Sequence, residues 1–140
     1  MKKYNVTFKG YRRDENKNGL PSYGGIYLVY RCKYNPTTDK VSLKEIIYIG
    51  QAINIHDRIV NHDRYNDFVN ELLEGEELCY SYASVSPTDM DVVENALVFM
   101  QKPKLNEGLK DSYNHEDSEF SIEGACSLLE MKTFSIKSGE

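Results

Sequence analysis

Two tripeptides place a tyrosine beside a glycine in near-mirror order, Gly25-Ile26-Tyr27 and Tyr48-Ile49-Gly50. A neutral phenol donates and accepts hydrogen bonds, and it can act as a base once a nearby cation lowers its pKa from about 10. The chain has 11 tyrosines, so this pairing indicates a site only if other reactive side chains lie near it.

Three later residues could join the tyrosines. Arg58 and His62 are four positions apart, so a helix would place them on one face. Glu94 is followed at i+3 and i+4 by Leu97 and Val98, which puts its carboxylate at the edge of an apolar surface. An unpaired charge is costly there. We therefore expect Glu94 either to turn towards solvent or to have a cationic partner.

A β-hairpin is predicted to position the two tyrosines. Residues 25–32, GIYLVYRC, are rich in β-branched and aromatic residues, and residues 41–50 predict a returning strand that contains EIIYIG. The segment between them, YNPTTDK, has the residues of a turn. Tyr27 and Tyr48 would then lie on neighbouring strands.

Helices and a third strand follow the hairpin. Asn54 can cap a helix in which Ile55 and Ile59 are buried and which continues through His62. A second short helix is predicted for residues 66–75, and LCYSYASV, residues 78–85, predicts the third strand.

A longer helix carries Glu94. Thr88 and Asp91 have capping-box spacing at its start, and Pro103 marks its end. Its buried side is predicted to consist of five apolar residues: Val92, Val93, Ala96, Leu97 and Met100.

The chain is predicted to be one domain over residues 1–140, of α/β class and α+β type. Its central sheet would be small, three-stranded and mainly antiparallel, flanked by helices. Residues 1–23 are interpreted as a polar extension in which YRRDENKNG is an exposed loop, and residues 108–140 as a C-terminal extension with a late pair of strands.

In this order the motifs resemble the GIY-YIG nuclease family. The resemblance covers about residues 24–107: the two tripeptides, Arg58 and His62 on the first helix, Glu94 on a later helix, and Asn106 just past it. Each motif is weak alone, but six in order on the expected elements form a specific pattern. One departure is the longer segment between the tripeptides, RCKYNPTTDKVSLKE.

The resemblance implies a GIY-YIG-like fold and an endonuclease that hydrolyses phosphodiester bonds, with DNA more expected than RNA. It implies catalytic roles for Tyr27, Tyr48, Arg58, His62 and Glu94. Glu94 would also be the single protein ligand of a Mg²⁺ or Mn²⁺ ion, since a hard carboxylate oxygen suits an ion that keeps several waters.

Further roles follow from the same resemblance. Gly50 and Asn106 would bind substrate or support the site. Arg58 could donate a planar fork to the scissile phosphate, and Tyr27 would orient or deprotonate the attacking water with help from Tyr48 or His62. Which tyrosine is the base stays open.

Other function classes are weighed against this one. A domain with this fold could bind nucleic acid or a protein partner without cutting, and a homodimer is a further possibility. His56-Asp57 and His62-Asp63, with His115 and Asp117, could instead form a metal cluster. The two pairs are six residues apart, about 240° around a helix, and would not face one ion.

Charge is distributed unevenly along the chain. The net charge is -5, yet residues 1–64 have 12 Lys and Arg against 6 Asp and Glu, whereas residues 65–140 have 5 against 16. Part of the surface can therefore be basic enough to approach nucleic acid although the whole molecule is acidic.

Compartment and cysteine state are also predicted. Three single cysteines, Cys32, Cys79 and Cys126, form no CxxC pair and are expected to be buried thiols. No apolar run is long enough to cross a membrane or to form a signal peptide, so a cytoplasmic protein with no membrane partner is expected.

Overall fold

A computed structural model describes residues 1–140 as an α+β fold with one mixed six-stranded sheet. The strands are β1 (Lys2–Arg13), β2 (Gly25–Asn35), β3 (Lys40–Ala52), β4 (Glu77–Ser84), β5 (Ser118–Gly124) and β6 (Thr133–Ile136). The helices are α1 (Ile55–Val60), α2 (Tyr65–Asn70) and α3 (Met90–Gln101), with a 3₁₀ helix at Asp14–Gly19. The strand order is β3-β2-β4-β1-β5-β6.

The predicted hairpin and third strand are confirmed, and they lie side by side as β3-β2-β4. They form only half of the sheet, so a three-stranded sheet was too small a prediction. The long connecting segment extends the hairpin, because Asn35 still pairs with Lys40 at its tip. Asn35 Oδ1 accepts the backbone N–H of Thr37 at 2.9 Å, which stabilises the turn.

The structure corrects the interpretation of the N-terminal residues as a polar extension. Residues 2–13, which include part of the predicted exposed loop, form β1 inside the sheet, antiparallel to β4 and parallel to β5. Tyr4, Val6 and Phe8 alternate with exposed polar residues and are buried on one face. The strand is polar in composition because its other face is open to solvent.

Two hydrophobic clusters cover opposite faces of the sheet. Ile26, Leu28 and Tyr30 of β2 point into the larger cluster, which α3 covers, whereas Tyr27 and Val29 point into the smaller one with α1. Alternating side chains of one buried strand thus serve both cores. The central strand β2 is therefore buried on both faces and gives Tyr27 a rigid base.

The predicted helices are confirmed in place but differ in detail: α2 ends at Asn70, whereas its predicted end was at Gly75. The capping box is wrong: Asp89 is the N-cap of α3 and its side chain makes no cap hydrogen bond. Val93, Ala96 and Leu97 are buried as predicted, while Val92 and Met100 are only partly buried. Lys102 ends the helix in a left-handed conformation just before Pro103.

The remaining predictions concern the C-terminal strands, the cysteines and the membrane. The late strand pair is confirmed as antiparallel β5 and β6. Cys32, Cys79 and Cys126 are all free and buried, as predicted. None of the helices combines the length and apolar character that crossing a membrane requires.

Candidate functional site

Tyr27 lies directly opposite Gly50 on the hairpin, and Tyr48 lies opposite Val29. Directly paired residues point to the same face, so both phenols are on the side covered by α1. A Cβ atom on Gly50 would lie 2.5 Å from Cζ of Tyr27. The Tyr27 phenol therefore occupies the space that a side chain at position 50 would fill.

His62 joins the two tyrosines from a position that was predicted wrongly. Helix α1 ends at Val60, because Asn61 leaves the helical conformation, so Arg58 and His62 do not share one helix face. The turn instead directs the His62 ring inward, where only 2% of its side chain is exposed. Its Nε2 lies 2.7 Å from Tyr27 Oη, and its ring centroid lies 5.7 Å from that of Tyr48.

The hydrogen bonds of His62 assign its tautomer. The backbone N–H of Arg64 donates to His62 Nδ1 at 3.1 Å, so in the neutral ring the proton is on Nε2. Nε2–H then donates to Tyr27 Oη. Burial, followed by the Arg58 charge, lowers the pKa of His62 to about 4. At neutral pH His62 therefore orients the phenol of Tyr27 and leaves its hydroxyl proton free to point elsewhere.

The depressed pKa of His62 makes stability depend on pH. Between about pH 6.5 and pH 4 the histidine is protonated in the unfolded protein but stays neutral in the folded one. The free energy of unfolding therefore falls as pH falls, by up to about 3 kcal/mol. His62→Gln should remove this part of the loss in urea titrations across that range. His56→Gln is the control, and an equal flattening of its curve would contradict the assignment.

Arg58 is the cation that most lowers the pKa of both phenols. Burial first, and then Tyr48, raise the pKa of Tyr27, while Arg58 opposes the rise. Burial also raises the pKa of Tyr48, again against Arg58. Arg58 donates to Asp63 at 2.7 Å, but the Asp63 side chain is 70% exposed. An exposed ion pair is weak, so Arg58 can exchange Asp63 for a phosphate.

Glu94 approaches from α3, on the other face of the sheet. Its Oε1 accepts Gln51 Nε2 at 2.7 Å, and the same amide nitrogen donates to Asp91 at 2.8 Å. Glu94 is partly buried and has no Lys, Arg or His within 4.0 Å. The expected cationic partner is absent, and Glu94 instead keeps partial exposure and a neutral amide as its partner. Burial accordingly raises the pKa of Glu94, and its negative charge raises those of Tyr27 and Tyr48.

Asn106 supports the strand that carries Tyr48 and Gly50. Its side chain accepts Ile49 N–H at 3.0 Å and donates to Ile49 C=O at 2.9 Å. Since β3 is an edge strand, this buried amide substitutes for a neighbouring strand: Oδ1 accepts the Ile49 N–H and one Nδ2–H donates to the Ile49 carbonyl. Asn106 therefore supports the strand that carries the tyrosine and glycine of the second tripeptide.

Removal of the Asn106 amide should destabilise the protein. Asn106→Leu leaves the buried N–H and C=O of Ile49 without partners, for which we expect a loss of about 2–4 kcal/mol in the free energy of unfolding. Chemical denaturation measures it. Asn70→Leu, at an exposed helix position, should change stability by less than about 0.5 kcal/mol. Similar losses in the two variants would contradict this role.

Two residues of the site were missed by the sequence analysis. Gln51 holds Glu94 and Asp91, and Arg64 sets the tautomer of His62 and donates to Leu105 C=O at 2.6 Å. The Arg64 guanidinium also lies 5.5 Å from the Tyr48 ring centroid. The sequence indicated them by position only: Gln51 directly follows Gly50, and Arg64 comes two residues after His62.

The competing His/Asp arrangement is dispersed. His56 Nδ1 lies 2.8 Å from its neighbour Asp57, while His62 faces Tyr27. His115 packs beside Tyr113 in a different part of the chain. No group of three or more His, Cys, Asp and Glu residues is arranged to hold a metal ion.

Comparisons of the chain with protein-family models, with curated proteins and with solved structures found no match.

Proposed function

We propose that this protein is a divalent-metal-dependent endonuclease of the GIY-YIG type that hydrolyses phosphodiester bonds in DNA. The observation that carries the proposal is the contact cluster of Tyr27, Tyr48 and His62 over Gly50, with Arg58 beside it. The three strands β3-β2-β4 and helices α1–α3 would correspond to the GIY-YIG core, to which β1, β5 and β6 are added.

The donor set fits a Mg²⁺ or Mn²⁺ ion held by Glu94. Its carboxylate is partly buried, its pKa is raised by burial, and no cationic side chain compensates its charge. A hard cation that keeps several waters needs few protein ligands. When bound, the ion would supply positive charge for the phosphate and lower the pKa of a bound water.

Arg58 and Tyr27 would have separate roles in the reaction. Arg58 would leave Asp63 and donate two hydrogen bonds to the scissile phosphate, where negative charge accumulates during hydrolysis. Tyr27, fixed by His62 Nε2–H, would orient the attacking water. Its raised pKa keeps the phenol neutral at pH 7, so deprotonation needs extra positive charge beside Arg58.

The first experiment is cleavage of plasmid and oligonucleotide DNA, and of RNA, with Mg²⁺, Mn²⁺ or EDTA. Cleavage that requires the metal and stops with EDTA supports the proposal, and the RNA arm tests the preference for DNA. Binding without cleavage, across substrates and metals, would favour a catalytically inactive module that binds nucleic acid. Neither binding nor cleavage would favour a module for a protein partner.

A further inference from the structure

A cleft of about 530 Å³ opens between the end of β1, the 3₁₀ helix and the tip of the β2–β3 hairpin. Basic and aromatic side chains dominate its lining, which includes Arg12, Arg13, Lys40, Tyr34, Tyr82 and Asn16. Asp39 is the acidic residue in the lining. Such a lining suits a ligand that has both negative charge and flat rings.

Arg12 is the arginine of this cleft that has no partner within the protein. The chain has five arginines, and the other four each have a carboxylate oxygen within 4.0 Å. Arg12 makes no such pair and no side-chain hydrogen bond, although it is partly buried with its guanidinium against Gly19. Arg13, by comparison, is held by Glu77 at 2.9 Å. A positioned guanidinium without a protein partner is ready to bind an external anion.

Tyr82 connects the cleft to the candidate active site. It is the direct cross-strand partner of Tyr27 on one side and of Lys9 on the other, so Lys9, Tyr82, Tyr27 and Gly50 form one row across four strands. Tyr82 is partly exposed, and its hydroxyl makes no hydrogen bond within the protein. Tyr34 is less free, because Arg13 covers its ring at 3.4 Å and Asp39 accepts its hydroxyl.

We propose that this cleft binds a single-stranded DNA segment that continues from the scissile phosphate, with Arg12 on a backbone phosphate and Tyr82 stacked on a base. The assignment of the strand's path rests on the proposed function. A single strand exposes base faces to an aromatic ring, whereas a duplex keeps them stacked inside. The cleft volume is also within the range of about 300–1,000 Å³ typical of small-ligand sites, which suits one or two nucleotides better than a duplex.

Binding can be tested apart from cleavage. Fluorescence anisotropy with a labelled 12-nucleotide DNA of mixed sequence, in EDTA, compares wild type with Arg12→Gln and Tyr82→Leu. We expect each variant to weaken binding at least fivefold. Arg12→Lys should keep most of the salt dependence that Arg12→Gln loses. Lys137→Gln, which removes one positive charge at an exposed C-terminal position, should bind like wild type.

Each outcome decides between the two proposals. Three results would overturn the assignment of the cleft as a single-strand site. The first is wild-type affinity in both Arg12→Gln and Tyr82→Leu, and the second is an equal loss of affinity in Lys137→Gln. The third is that the cleft variants lose as much affinity for the duplex of the same sequence. Thermal melting of each variant checks that the fold is retained. If the cleft variants lose binding but wild type never cleaves DNA with Mg²⁺, the binding site stands and the proposed endonuclease fails.

Discussion

Glu94→Gln is expected to lower Mg²⁺-dependent cleavage of DNA by about 10²–10³-fold or more. The variant keeps the size of the side chain, and its amide oxygen can still accept Gln51 Nε2, so the packing of α3 should persist. It loses the negative charge that would hold the ion and, with it, the positive charge at the phosphate. Initial rates across a Mg²⁺ titration measure the effect.

Asp91→Asn is the matched control for Glu94→Gln. Both carboxylates accept the same Gln51 amide, but Asp91 is exposed, and we expect its variant to cleave within a few-fold of wild type. Cleavage by Glu94→Gln near the wild-type rate would contradict the assignment of Glu94 as the metal ligand. An equally large loss in Asp91→Asn would instead make the two carboxylates a shared site.

The hairpin and its paired tyrosine motifs were predictable because their determinants are local. Alternating apolar residues and a turn of Asn, Pro, Thr and Asp predict the hairpin, but two register shifts, between Val29 and Tyr30 and between Arg31 and Cys32, bring Tyr27 opposite Gly50. The strand β1 was missed since an alternating strand with one solvated face has the composition of a loop. Its buried residues Tyr4, Val6 and Phe8 were visible as a period of two.

The placement of His62 and Glu94 depended on tertiary contacts that spacing does not encode. The helical spacing of Arg58 and His62 assumed that α1 continues, whereas the chain turns at Asn61 and buries the ring against Tyr27. The partner of Glu94 depended on where α3 packs against β3, which brings Gln51 to it. Spacing along the chain thus did not predict how His62 and Glu94 are held.

Gly50→Ala should reduce both stability and cleavage, through Tyr27. The added methyl group would lie 2.5 Å from Tyr27 Cζ, and the phenol is fully buried among His62, Tyr48 and β2. We expect a loss of about 1–3 kcal/mol in the free energy of unfolding from overpacking. Displacement of the phenol by about 1 Å should lower the cleavage rate by about 10²-fold. Gly108→Ala, where a Cβ meets nothing within 4 Å, is the neutral control.

A double-mutant cycle separates the clash with Tyr27 from a general effect of alanine in β3. Tyr27→Leu removes the ring atoms that the new methyl group would meet, so Gly50→Ala should cost less than half as much in that background as in wild type. Denaturation midpoints of the four proteins give the interaction energy. An unchanged cost would mean that Gly50 serves the β3 backbone instead of making room for Tyr27. The loss of cleavage in Gly50→Ala would then have to come from the edge strand itself, which Asn106 holds at Ile49.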